Sequence, residues 1–235
     1  MPFSSSLDRR RFLVGSSAWA GLAVSANLAS AADQPAPGTP VEIEVSPVEA
    51  LMRQHGILRR CLLIYDETSQ RLDSNRDFDM TVLGRAAEIV RNFIEDYHQK
   101  LEEDFLFPRF RKAGRLLDLV ELLQTQHRRG RGITEKIRQL AVAATLKKES
   151  DRRQLSDHIG SFVRMQRPHE AREDTILFPM FRKLLRGKDY DDLGEQFETL
   201  ADQKFGENSY DQAVSDVSRL EQQLGIYDLA QFTPK

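Results

Sequence analysis

A single cysteine, Cys61, is present among 235 residues, which excludes an intrachain disulfide and a thiolate-rich metal cluster. Any metal held by this chain must therefore be bound through nitrogen and oxygen. Charge of one sign is lacking as well. The formal net charge of −2 gives no field that would favour nucleic acid or an acidic membrane surface. A mildly apolar stretch at residues 14–28 is broken by serine and asparagine and is short for a membrane span. No span is expected in the rest of the chain, and no convincing polar–apolar alternation supports a strand. The length allows one domain of ordinary size and is marginal for two.

What is present begins with a basic start. Ser6-Leu7-Asp8-Arg9-Arg10-Arg11-Phe12-Leu13 precedes the mildly apolar stretch, and Ala29-Ser30-Ala31 offers a small-x-small cleavage site. The segment 1–32 resembles a bacterial twin-arginine export signal, which implies a periplasmic or other extracytoplasmic location. Residues 33–45, with Pro35, Pro37, Gly38 and Pro40, read as a linker.

At Ser46-Pro47-Val48-Glu49 the pattern changes to a helix start: serine as N-cap, proline first in the helix, and glutamate three after the cap. Helix after helix follows, at 47–73, about 80–113, about 115–145 and about 150–186. A shorter helical tail spans roughly 191–224, with a break near Gly206. Four long helices with short polar connections predict an all-α antiparallel four-helix bundle over 46–187. An additional C-terminal segment, 188–235, is expected to pack on its outside through Leu193, Phe197, Leu200, Val214, Val217 and Leu220.

The chain also repeats itself. Residues 98–112 read HQKLEEDFLFPRFRK and residues 169–183 read HEAREDTILFPMFRK, with eight of fifteen positions identical at an offset of 71. His55 and His127, each preceded by glutamine, are 72 apart. The order His, then His-x-x-x-Glu, thus occurs twice: His55 with His98 and Glu102, and His127 with His169 and Glu173. Residues four apart on an α-helix lie side by side, so each His-x-x-x-Glu presents an imidazole next to a carboxylate. Glu103 and Asp174, five residues after their histidines, point about 140° away on a regular helix. A distortion near Pro168 could promote Asp174 in place of Glu173. Four imidazoles and two carboxylates in a bundle interior require strong partners. Two metal ions would supply them, and this donor set suits iron, manganese or zinc.

Other readings of these residues are weaker. A ferritin-like site needs Glu-x-x-His twice; Glu95-x-x-His98 matches, but Gln166 stands in the second half. His169 to Glu173 begins like a zincin motif and lacks its final histidine. His158 faces Ala87 in the repeat and is read as structural. Arg128, Arg129 and Arg131 read as a solvated helix face. Gly130 and Gly132 permit either a close helix contact or a local break. Leu106-Phe107-Pro108 and Leu177-Phe178-Pro179 read as apolar caps over the site, with a proline bend. Cys61 reads as a small buried hydrophobe.

Over residues 46–186 the order H, H-x-x-x-E, H, H-x-x-x-E, continued as E-(E/D)-x-x-L-F-P, resembles the bacterial hemerythrin-like (HHE cation-binding) family. The resemblance implies two non-haem iron ions, oxo- or hydroxo-bridged, with Glu102 and Glu173 bridging and His55, His98, His127 and His169 as terminal ligands. It implies a small diatomic gas or peroxide as the molecule bound. Oxygen-carrying members have a further histidine where this chain has Arg131. That departure is expected to leave a coordination position open, or filled by water or by a side chain such as Tyr65 or Tyr97. It shifts the expectation from carrying oxygen toward reacting with oxygen, peroxide or nitric oxide. The alternative is a non-catalytic module for iron storage, sensing or oxygen delivery.

Overall fold

The computed structural model describes residues 45–234. The expected export signal, 1–32, and all but the last residue of the expected linker lie outside the described residues.

Helix α1, Pro47–Asp73, starts as its sequence requires. Ser46 is extended, its side chain accepts the Glu49 N–H at 3.3 Å, and Pro47 occupies the first helical position. Helix α2 runs over 80–113 and is capped by Asp79, whose carboxylate accepts the Thr81 N–H at 2.9 Å. It ends at Gly114, whose φ of +63° is readily reached by a residue without a Cβ. Helix α3 covers Leu117–Leu140. It stops five residues short of the expected end because Thr145 folds back in a 3-10 turn, Ala143–Lys147, and donates its hydroxyl to the Leu140 carbonyl at 2.5 Å. Helix α4 runs over 149–184, followed by α5, Lys188–Phe205, and α6, Ser209–Leu224. The expected break near Gly206 separates these last two.

Helices α1 to α4 form the antiparallel bundle, with contacts at α1–α2, α2–α3, α3–α4 and α4–α1. No strand occurs among the described residues. Both α5 and α6 lie against α1. Arg60 on α1 donates to Ser218 (2.8 Å) and Glu221 (3.0 Å) on α6, and Tyr97 on α2 donates to the Phe197 carbonyl on α5 at 3.0 Å. Among the described residues, no helix is long and apolar enough to cross a membrane.

Two apolar clusters make up the core. One gathers Ile57, Leu58, Leu62, Ile94, Ile159 and Phe162; the other gathers Leu51, Leu101, Phe107, Phe110, Phe178 and Phe181. On every bundle helix the boundary between clusters falls at the predicted histidine. The polar site therefore interrupts the core as a layer, enclosed above and below by apolar side chains.

Candidate metal centre

Both α2 and α4 leave regular α geometry at the site. Residues Glu102–Leu106 and Glu173–Leu177 are wider π turns, closed by Phe107 N–H to the Glu102 carbonyl and Phe178 N–H to the Glu173 carbonyl. The cause is local. Pro108 and Pro179 have no N–H for the carbonyls of Asp104 and Thr175, and a proline ring crowds the carbonyl four residues back. One extra residue in the turn relieves that conflict. The distortion expected at Pro168 is absent there, since helix Glu149–Arg172 continues through it. It arises instead at the Leu-Phe-Pro segments, in both halves. A further π stretch, Val90–His98, occurs on α2 alone and ends at the site residue His98.

The structure brings all six predicted residues together, each buried. Donor atoms of His55, His98, Glu102 and Glu173 lie within 4.8 Å of one another, as do those of His127, His169 and Glu173. Glu173 belongs to both groups. Glu102 also reaches both, 3.6 Å from His98 Nε2 and 3.4 Å from His127 Nε2. On the other carboxylate, His55 Nε2 lies 3.3 Å and His169 Nε2 3.1 Å from Glu173. His158 takes no part in either group.

All four imidazoles turn the same nitrogen outward. His55 Nδ1 meets Asp174 Oδ1 at 2.7 Å, His127 Nδ1 meets Glu103 Oε1 at 3.0 Å, His98 Nδ1 meets Gln54 Oε1 at 2.9 Å and His169 Nδ1 meets Gln126 Oε1 at 2.8 Å. These partners accept, so each Nδ1 carries a proton and each Nε2 faces the centre, where it can offer a lone pair to a metal. The hydrogen bonds fall one at each helix–helix interface of the bundle: Gln54–His98 at α1–α2, Glu103–His127 at α2–α3, Gln126–His169 at α3–α4 and Asp174–His55 at α4–α1. Phe178 stacks on His55 and Phe107 on His127, both with ring centroids 5.5 Å apart. The Leu-Phe-Pro phenylalanines thus fix the planes of these two imidazoles.

This arrangement fits metal ions. None of the four side-chain oxygens of Glu102 and Glu173 has a hydrogen-bond partner, although all are buried. The Nε2 lone pairs of His127 and His169 face each other at 3.3 Å. Cations between them would satisfy the oxygens and turn lone-pair repulsion into ligation. In the metal-free protein, protons must do this work. Burial opposes charge on His55, but its contacts with Asp174 and Glu173 prevail and raise it to about 9. Burial, then the Glu173 charge beside it, pushes Glu102 well above the usual carboxylate range. Burial acts on Glu173 in the same direction, but His169 and His55 outweigh it and hold this carboxylate ionised.

Glu102 and Glu173 are favoured over Glu103 and Asp174 by helical direction, with Asp174 an alternative ligand; in the structure Glu103 and Asp174 instead bond the outer nitrogens of histidines on neighbouring helices. The glutamine before His55 and His127 was a visible signal whose partner was not. Arg131, expected to leave a vacancy, is engaged: its Nη2 lies 2.9 Å from Glu103 and donates to the Glu95 carbonyl at 3.0 Å. Arg128 and Arg129 are exposed, as expected of a solvated face. Tyr97 is turned to Phe197, and Tyr65 is buried with its hydroxyl unpartnered, edge-on to Phe162. Glu95 is also buried but bonds Thr134 (2.6 Å) and pairs with Arg91 (2.9 Å), outside both groups.

A helical bundle with a buried histidine–carboxylate layer of this geometry is a metal-binding module. The chain belongs to the hemerythrin HHE cation binding domain family, which it matches over residues 46–145 and again over 118–204. It is also 38% identical, over 98% of its own length and 92% of theirs, to uncharacterized proteins of Mycobacterium bovis and Mycobacterium tuberculosis. No solved structure matches it.

Proposed function

We propose that this protein holds two iron ions and binds or reduces a small oxidant (oxygen, peroxide or nitric oxide) in the cell envelope. The observation that carries the reading is the convergence of four Nε2 atoms on two buried carboxylates whose oxygens have no other partner. Iron is the metal that the family relationship favours, with manganese or zinc compatible with the same donors. Bound iron would supply one-electron chemistry and an attachment point for the oxidant. Glu102 and Glu173 would bridge the two positions, with two histidines completing each.

The chain's own residues do the rest. Asp174, Glu103, Gln54 and Gln126 each hold an Nδ1 proton and aim the opposite nitrogen, Nε2, inward. Phe107 and Phe178 wall off the layer and limit water. The absence of a fifth histidine from the site, with Arg131 committed to Glu103, leaves fewer protein nitrogens there than in the oxygen-carrying proteins. That favours reaction over simple carriage. The envelope location rests on the arginine-rich start and small-residue cleavage site of residues 1–32.

Anaerobic loading with ferrous iron, followed by air, tests the reading through metal content and the absorption spectrum. Two irons per chain with oxo-bridged ferric bands are expected, and stopped-flow mixing with peroxide or nitric oxide should give turnover. Loading without turnover would support a storage, sensing or delivery role instead. Failure to take up iron, manganese or zinc would end the metal reading.

A further inference from the structure

Arg131 has a counterpart. The offset that relates His55 to His127 also relates Arg59 to Arg131, so each half reads Gln-His-x-x-x-Arg. The structure uses the two arginines alike. Arg59 donates through Nη2 to Asp174 Oδ2, while Asp174 Oδ1 holds His55. Arg131 Nη2 reaches Glu103 Oε1, which also holds His127. Two chains of contact result: Arg59–Asp174–His55 across α4–α1 and Arg131–Glu103–His127 across α2–α3. One histidine of each metal group is held this way, the other by a neutral glutamine.

The two carboxylates need a counter-charge. Asp174 and Glu103 directly follow Glu173 and Glu102, and their charges add to the repulsion felt at the buried centre. Both are largely buried, at 12% and 11% exposure, whereas Arg59 and Arg131 are 49% and 24% exposed. Unpaired, each carboxylate would be drawn outward to water and its imidazole would lose the acceptor that fixes the tautomer. A guanidinium at the rim holds the carboxylate in place without entering the metal layer. Arg59 is anchored further by Glu170 (3.4 Å), and Arg131 by the Glu95 carbonyl.

We propose that Arg59 and Arg131 are a matched pair of positioning residues, each setting the affinity of one metal position through the carboxylate that aligns its histidine. Arg59 serves the His55/His98 position and Arg131 the His127/His169 position. This inference rests on the metal-centre reading above.

Cobalt(II) titration of the protein against a competing chelator, followed by visible absorption, separates the two. His169→Ala leaves the first position and His98→Ala the second. In the His169→Ala protein, Arg59→Met should weaken cobalt binding about 10–100-fold and Arg131→Met should leave it unchanged. In the His98→Ala protein the pattern should reverse. Methionine keeps the apolar stem, and Arg→Lys, which keeps the charge but loses the planar fork, should fall between. Metal-free unfolding midpoints should stay near those of the parent proteins. Equal weakening by both arginine variants in one background, or weakening by neither, would overturn the inference while leaving the metal reading intact. Wild-type protein that takes up no cobalt would overturn both.

Discussion

Asp174 Oδ1 lies 2.7 Å from His55 Nδ1 across 119 residues of chain. The equivalent contact in the other half, Glu103 Oε1 to His127 Nδ1, spans only 24. The two halves therefore complete each other around a pseudo-symmetric centre, and the α4–α1 contact closes the ring. Neither half has a full set of oriented ligands by itself.

Loss of a direct ligand should empty one position and spare much of the other. His98→Ala and His169→Ala proteins are each expected to retain about one metal per chain where the wild type retains two. Elemental analysis after gel filtration measures this. Full metal content in both variants would refute the assigned site.

The glutamines act through their neighbours. Gln54→Leu removes the acceptor of His98 Nδ1, and Gln126→Leu that of His169 Nδ1. Each should lower metal affinity by about 10–100-fold, read by chelator competition, although neither side chain touches the metal. Unchanged affinity would mean that packing alone orients these rings.

Metal uptake should release protons. In the metal-free protein His55 holds its proton up to about pH 9, and burial, then the Glu173 charge, raises Glu102 well above the usual carboxylate range. Both must be deprotonated to ligate. Calorimetric titration at pH 7.5 in buffers of different ionisation enthalpy should show the His55 proton leaving on metal uptake, and no proton release would contradict the assignment. The stability linkage has a definite sign. Because the His55 value is raised, its contribution is fully present below about pH 6.5 and is lost as pH rises through 9, in the metal-free form only. Thermal unfolding across that window, with and without metal, checks it.

Two glycines of α3 should respond differently. A Cβ at Gly132 meets nothing within 4 Å, so Gly132→Ala should stabilise the helix by up to about 1 kcal/mol. A Cβ at Gly130 meets Met165 Cε at 3.3 Å, Gln166 Nε2 at 3.5 Å and Glu95 Oε1 at 3.6 Å. Gly130→Ala should gain less, and Gly130→Leu should cost about 1–3 kcal/mol. Denaturant unfolding of the three variants ranks them; equal effects at the two positions would contradict the close contact.

Cys61 is fully buried, and burial pushes its thiol up to about 12. Iodoacetamide at pH 8 should leave it unmodified in the native protein and label it in denaturant. Rapid native labelling would show that the α1 core opens.

Much of the fold could be read from sequence because its signals are local. Ser46-Pro47 and Gly114 mark helix ends by backbone chemistry alone, and α1 begins and α2 ends where those signals place them. The end of α3 was missed because the Thr145 side chain, five residues on, takes up the Leu140 carbonyl. The π turns were only half legible. Pro108 and Pro179 announce a disturbance, but its position one turn upstream depends on which carbonyls lose their donors.

The repeated His and His-x-x-x-Glu by themselves determined which six side chains should share a site, since helical periodicity fixes who stands beside whom on one helix. Tertiary structure decided what aligns them. Gln54, Gln126, Glu103 and Asp174 act across helix interfaces, where spacing along the chain carries no information. Arg131 shows the difference most plainly. As sequence it is a missing histidine; in the folded bundle it and Arg59 grip the two carboxylates that aim His127 and His55 inward. Only the packing of α2 on α3 and of α4 on α1 brings those charges within reach of each other.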